Sequence, residues 1–333
     1  MTFTMQVIAN GLTYSDHHDV QFWDFNSITT DSAKWKLLID MIAEHHKDDE
    51  IDMIIGLDAR GFLLSGALGY AMGINHVSAR KAGKLPGETI YEEYGKEYVE
   101  TDESGNVKER DQLHLQTAYI KPGMRVLILD DVLATGGTAE ACCKLVERLG
   151  ATVAGITVVI ELPELGGRGE KLLPYPVHSF ITIMEGQPLV GVEYCVDMFT
   201  QCKMTGALLL IERLGEVPGI AMPGGRIDPG ESALTAAERE LAEETGAVAT
   251  DFTYVTTLTG IARDPRGPKV SIVMETVAHV GPLAGEVGKT DPFWVNSQSD
   301  LPPAETFVFA HGQVVHDTWA ATLQGRSSEA LAS

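Results

Sequence analysis

Positive charge is scarce in this chain. Lysine and arginine number 25 against 47 aspartates and glutamates, a formal net charge of -22. That balance opposes non-specific binding to nucleic acid or to anionic membrane, so neither is an expected partner. Any phosphate the protein handles must meet a cation supplied locally. Cysteine is scarce too. Cys142, Cys143, Cys195 and Cys202 show no paired metal-ligand spacing, and adjacent cysteines rarely form a structural disulfide. Reduced thiols in a cytoplasmic setting are expected. A run of about eighteen apolar residues is missing, as is a basic segment before an apolar stretch, so neither a membrane span nor a signal peptide is read. No internal repeat is visible.

What is present is an ordinary globular composition over 333 residues, long enough for roughly two domains, each with its own core. The string GRIDPGESALTAAERELAEETGA, Gly225 to Ala247, stands out. Glu240, Glu243 and Glu244 are spaced i, i+3 and i+4, so on a helix they share one face with Cβ atoms about 5–6 Å apart. Clustered carboxylates repel unless a cation sits among them, and an oxygen-only donor set suits Mg²⁺ or Mn²⁺. Arg239 is placed to pair with a carboxylate behind them. Gly225, Pro229 and Gly230 make a loop in which backbone can approach metal or phosphate closely.

This string resembles the Nudix box: glycine, five residues, Glu, seven residues, then Arg-Glu-aliphatic-any-Glu-Glu-any-Gly-aliphatic. Gly225, Glu231, Arg239, Glu240, Leu241, Glu243, Glu244 and Gly246 match it, with Ala247 smaller than the usual last residue. The resemblance implies hydrolysis of a nucleoside diphosphate derivative by a metal-activated water. It makes Gly225, Glu240, Glu243 and Glu244 the metal ligands, with Glu243 and Glu244 also catalytic. A Nudix α/β/α sandwich with a mixed sheet is the implied fold. The general base cannot be assigned.

In the first half, strand and helix signals alternate, which implies a mostly parallel sheet with helices on both faces and ligands at the carboxyl ends of its strands. The segment LILDDVLATGGT, Leu127 to Thr138, is the sharpest signal there. Asp130 and Asp131 at a strand end can hold a ribose diol and a metal. The turn that follows, Ala134, Thr135, Gly136, Gly137 and Thr138, offers backbone N–H groups at a helix N-terminus as a seat for phosphate.

The segment resembles the PRPP-binding motif of type I phosphoribosyltransferases, and other stretches narrow it to the adenine branch. LDARGF (57–62) is similar to a pyrophosphate loop, with Arg60 against the diphosphate and in a catalytic role. RKAGKLPGETI (80–90) is similar to the start of a flexible hood, carrying Arg80 and Lys84, and ELGGRGE (164–170) to a loop after a late strand. The resemblance covers about residues 20–182. It implies adenine and PRPP as substrates, AMP and pyrophosphate as products, and Glu97 and Tyr98 as catalytic residues. Two departures stand out. Phe22-Trp23-Asp24 replaces the family's Phe-Arg-Asp, and the family's Leu-Glu-Tyr-Gly is matched to Lys96-Glu97-Tyr98-Val99, followed by the polar insertion TDESGNVKER (101–110). His45 and His46 are expected to be solvated.

Domains are therefore expected at 1–185 and 186–326, with a tail at 327–333. Gly260 to Gly267, with Arg263 and Arg266, resembles the Arg-Asp-Pro-Arg-Gly loop of some ADP-ribose pyrophosphatases, which implies ADP-ribose as the second substrate, split to AMP and ribose 5-phosphate. A helix over ETFVFAHGQVVHDTWAATLQ is expected to close the second domain. PRPP, a dinucleotide or an oxidised nucleotide are alternative Nudix substrates. A regulator that senses ADP-ribose or PRPP is an alternative of another class, disfavoured by intact glutamates and by too few residues after about 325 for a DNA-binding module. Both resemblances imply a homodimer.

Overall fold

The computed structural model describes residues 2–17, 20–101, 107–279 and 282–330. The chain divides into two compact units, Met1–Val192 and Glu193–Ser333.

The first unit opens with α1 (Thr2–Ala9), the antiparallel pair β1 (Thr13–His17) and β2 (Val20–Asp24), α2 (Asn26–Thr29) and α3 (Ser32–His45). Then come β3 (Met53–Leu57), α4 (Gly61–Met72), β4 (Asn75–Lys81), β5 (Thr89–Thr101), β6 (Val107–Gln116) and β7 (Arg125–Leu133). It ends with α5 (Gly137–Arg148), β8 (Thr152–Glu161), α6 (Gly167–Lys171), β9 (Val177–Met184) and β10 (Gln187–Leu189). The sheet order is β10-β9-β8-β7-β3-β4-β6-β5. Strands β9, β8, β7, β3 and β4 run parallel, while β10 and the β5–β6 hairpin are antiparallel additions. Because β10 pairs with β9, the first unit extends past residue 189.

Side-chain alternation along the buried strands feeds two cores. Ile55, Ile128 and Val158 pack with α5 residues Ala141, Cys142 and Leu145. Their neighbours Ile54, Leu127 and Val159 pack with Leu38 and Ile42 of α3 and Leu64 and Leu68 of α4. Both sheet faces are thus covered, which is why these strands read as continuous apolar runs. His45 and His46 depart from the solvated expectation. His46 is buried, bonded to Asp49 and Thr157, and His45 stacks on His178 at 3.7 Å between centroids. The end of α3 lies against β9, so these rings serve packing.

The second unit contains β11 (Glu193–Cys202), β12 (Leu208–Arg213), β13 (Gly219–Ala221), β14 (Gly224–Arg226) and α7 (Ala233–Thr245). It continues with β15 (Phe252–Leu258), β16 (Lys269–Ala278), β17 (Thr290–Val295) and α8 (His311–Ala330). The sheet is mixed: β11 and β16 are parallel, β12 and β15 flank them antiparallel, β14 adds to β11, and β17 to β12. Helix α7 packs on β14, β11 and β17. Val315 and Trp319 of α8 share a core with Phe199, Leu208, Leu210 and Val273. The closing helix starts later than the sequence suggests. Phe309 and Ala310 have φ of 59° and 61°, a left-handed break that no continuous helix through 305–310 accommodates. Among the described residues, no helix is long and apolar enough to cross a membrane.

Candidate active sites

The parallel sheet of the first unit brings Asp58, Arg60, Asp130, Asp131, Ala134, Gly136 and Thr138 around a cavity of about 190 Å³ at its carboxyl edge. Asp131 is buried and meets Arg60 at 2.8 Å between Nε and Oδ2. The Asp131 N–H donates to Asp130 Oδ1 at 2.9 Å. Burial raises the pKa of both carboxyls above the usual carboxylate range; the neighbouring Asp131 charge adds to this at Asp130, while Arg60 opposes it at Asp131. The acid pair is therefore under-neutralised by the fold itself.

The Ala134–Thr138 turn, read from the sequence as a phosphate seat, follows directly. Gly136 caps α5 in a left-handed conformation, φ 78°, and its Cα lies against Gly167. A Cβ on Gly136 would stand 2.9 Å from the Gly167 carbonyl, and one on Gly167 would stand 2.2 Å from the Ala134 carbonyl. Two glycines meet here because nothing larger fits. With the turn so held, backbone N–H groups of the first α5 turn open toward the cavity end of the acid pair, as an anion seat requires.

Arg80 reaches Asp58 at 3.4 Å and sits over the Phe62 ring. Lys84 is exposed and outside the cavity lining. Glu97 and Tyr98 fall on β5, but their side chains lie outside the described residues, as does 102–106 of the polar insertion. Tyr94, four residues earlier on β5, reaches the side chain of Thr138, and a Cβ on Gly137 would lie 3.7 Å from its ring. Trp23, buried, joins the cavity wall, and its carbonyl accepts from Arg60 Nη1 at 3.4 Å.

In the second unit, α7 is set by Ser232, whose hydroxyl accepts the Thr235 N–H, and by Gly246 at its C-terminal end. Arg239 organises the acids. It forks onto Glu231 through Nε and Nη2 at 3.0 and 2.9 Å, and donates from Nη1 to Glu240 at 2.7 Å and to Glu243 at 3.4 Å. Glu244 is buried and accepts the Gly224 N–H at 2.8 Å. The Glu240 carboxylate lies flush on Gly225, where a Cβ would come within 2.3 Å of its Cδ. Glu240, Glu244 and Gly225 line one cavity of about 570 Å³; Glu243 is half exposed and does not line it. Burial pushes Glu244 up to about 7, with Gly224 and Arg213 opposing and Glu240 and Asp197 reinforcing. Burial likewise raises Glu240, against Arg239.

Arg213, Arg263, Arg266, Lys269 and Phe309 line the same cavity, with Arg213 3.9 Å from Glu244 and Lys269 paired with Glu193 at 2.6 Å. Arg213 and Arg266 stand over the Phe309 ring at 5.2 and 4.9 Å. Both arginines expected from the sequence are anchored within the protein: Arg263 donates to the Phe309 carbonyl and Ser271, and Arg266 forks onto buried Asp264. At the cavity floor, buried His311 accepts the Met222 N–H at Nδ1, so its proton sits on Nε2, 3.2 Å from Asp197 Oδ2.

A model of the phosphoribosyl transferase domain matches residues 25–175. The adenine phosphoribosyltransferase of Salinispora tropica is 44% identical over 164 residues, covering 49% of this chain and 81% of that protein. The chain belongs to the adenine phosphoribosyltransferase family. The enzyme of that name from Clostridium beijerinckii is 43% identical over 162 residues, covering 49% of this chain and 88% of its own length. The solved adenine phosphoribosyltransferase of Rhodothermus marinus, 35% identical, overlaps 55% of this chain and all of its own with a TM-score of 0.49. A model of the NUDIX domain matches residues 194–315, so a Nudix hydrolase domain forms the second unit. The chain is thus an enzyme with a phosphoribosyltransferase unit and a Nudix unit.

Against this frame, Arg213, Phe309, His311 and Asp197 of the Nudix unit carried no local motif, since they converge only through β12, β11 and the break before α8. Tyr94 did have a signal: the family's Glu-Tyr-Gly stands intact at Glu93-Tyr94-Gly95.

Two outcomes follow. Gly225→Ala pushes a methyl into Glu240 and is expected to lower Nudix hydrolysis by at least about tenfold, in line with a misplaced ligand, in a rate assay that leaves phosphoribosyl transfer unchanged. The second concerns pH. Glu244 is raised from 4.5 to about 7, so the folded chain holds a proton the unfolded chain has released. Without divalent metal, stability should fall as pH rises between 4.5 and about 7. Thermal melting checks this, and Glu244→Gln should flatten that slope for the Nudix unit.

Proposed function

We propose a bifunctional nucleotide-salvage enzyme. The phosphoribosyltransferase unit joins adenine to PRPP, giving AMP and pyrophosphate, and the Nudix unit hydrolyses ADP-ribose to AMP and ribose 5-phosphate. Family membership with the Asp130–Asp131 pair beside the Ala134–Thr138 loop carries the first half. The cavity that Glu240 and Glu244 share with Arg213, Arg263, Arg266 and Lys269 carries the second.

In the first site, Asp131 and Asp130 accept from the ribose diol and the loop N–H groups hold the 5′-phosphate. Arg60 then exchanges Asp131 for the departing diphosphate, assisted by Arg80 and Lys84, and so neutralises charge where it develops. Closure of β5 over the loop excludes water from the oxocarbenium-like centre. Glu93 and Tyr94 are candidates for the family's Glu-Tyr role beside Glu97 and Tyr98, because Tyr94 meets the side chain of Thr138.

In the Nudix site, the donor chemistry fits a hard divalent ion. Glu240 and Glu244 are oxygen donors held above their ordinary range beside the bare Gly225 backbone. No group of three His, Cys, Asp or Glu converges as a ready ligand set among the described residues; Glu240 and Glu244 would hold the ion, with Glu243, now 3.4 Å from Arg239 Nη1, as a further donor. Mg²⁺ or Mn²⁺ bound there supplies water activation and charge neutralisation at the cleaved phosphorus. The protein's own part is orientation. Arg239 holds Glu231 and Glu240, and Arg213, Arg263, Arg266 and Lys269 face the diphosphate and terminal ribose. A volume of about 570 Å³ suits a ligand of that size.

Full-length protein with Mg²⁺ and either adenine plus PRPP or ADP-ribose should release AMP from each pair. Glu243→Gln should abolish hydrolysis and spare transfer, and Asp131→Asn the reverse, read by chromatography of products. Turnover of another nucleotide with ADP-ribose left intact refutes the Nudix substrate.

A further inference from the structure

The phosphate loop of the phosphoribosyltransferase unit is braced by the segment that follows β8. Lys171 Nζ donates to the Thr135 carbonyl at 3.0 Å, and neither residue lines the cavity. Lys171 ends α6, the element that begins at Gly167, whose backbone presses on Ala134 and Gly136. Between them, Arg168 anchors the whole loop to the sheet. It forks onto Glu161 at the end of β8, at 2.9 and 2.5 Å, and donates to the Val177 carbonyl at 2.7 Å and Ser179 Oγ at 3.3 Å. Glu161 is 1% exposed and Arg168 8%. Such a buried pair is weak evidence for stability, since an apolar pair of equal volume serves as well, but it does fix geometry. Here it fixes the segment whose Gly167 and Lys171 touch the phosphate loop.

We infer that Lys171, seated on the Glu161–Arg168 anchor, is a positioning residue for the phosphate loop. Its ammonium holds the Thr135 peptide so that the loop N–H groups face the ligand, and its charge stands behind the seat of a phosphate. This rests on the reading that Ala134–Thr138 binds the 5′-phosphate of PRPP. The role is through Thr135 and not by contact with the reacting atoms. Lys171 is only half-buried, so its removal leaves no uncompensated buried charge, unlike removal of Arg168.

The test uses the full chain with Lys171→Met and Lys171→Arg. Lys171→Met should raise KM for PRPP about tenfold, the scale of one charge-assisted hydrogen bond, with KM for adenine and Tm unchanged. Lys171→Arg should recover most of that loss. Calorimetric titration with inorganic phosphate reads the loop without turnover, and its affinity should fall by a similar factor in Lys171→Met. The inference is overturned if KM for PRPP and phosphate affinity do not move, or if all parameters fall together with Tm. It is overturned equally if the unsubstituted chain binds no phosphate. Phosphate binding without any AMP formation, by contrast, refutes the transferase reading and leaves the loop's anion seat, and Lys171's part in it, standing.

Discussion

Both units of this protein are built around acids that the fold brings together and only partly neutralises. Asp130 with Asp131, and Glu240 with Glu244, sit where burial works against their charge, and each pair meets too little protein cation to offset it. A chain of net charge -22 has few arginines to spare, and it concentrates them beside these pairs: Arg60 at the first, Arg239 and Arg213 at the second. The arrangement is costly without ligand, and under the proposed function a divalent ion or a diphosphate with its counterions offsets that cost. The sites are poised in that sense. Their stability deficit and their binding chemistry are the same fact.

The surrounding architecture serves to keep these acids where they are. In the first unit, the parallel strands β3, β7 and β8 deliver Asp58, Asp130, Asp131 and Glu161 to one edge, and glycine-on-glycine packing sets the loop beside them. In the second, β14 lays Gly224 and Gly225 against α7 so that one residue's N–H meets Glu244 and the next leaves room for Glu240. Backbone, more than side chain, does the placing. That explains why the sites tolerate an acidic chain with few spare cations.

Much of this was legible in the sequence because it is local. Leu127–Thr138 holds strand, acid pair, turn and helix start in one segment, and Gly225–Gly246 holds a loop and a helix face. What was hidden was non-local. Arg213 and Phe309 lie ninety-six residues apart and meet only because the backbone turns left-handed before His311. The His45–His178 stack joins α3 to β9 and leaves no trace in either segment. The reading of 305–310 as helix followed its apolar content, whereas Phe307 and Phe309 are spent on β-bridging and on the arginine wall. Arg263 and Arg266, conspicuous as a pair, turned out to be anchored by Ser271 and Asp264 as well as facing the cavity.

The central claim is that the under-neutralised Nudix acids are a divalent-ion site. Calorimetric titration of Mg²⁺ into the full chain near pH 6.5, repeated in buffers of different protonation enthalpy, measures it most directly. Because burial raises Glu244 to about 7, binding should release protons, and Glu244→Gln should reduce that release. Mg²⁺ binding with no proton release, or no binding by the Nudix unit at all, would contradict the account.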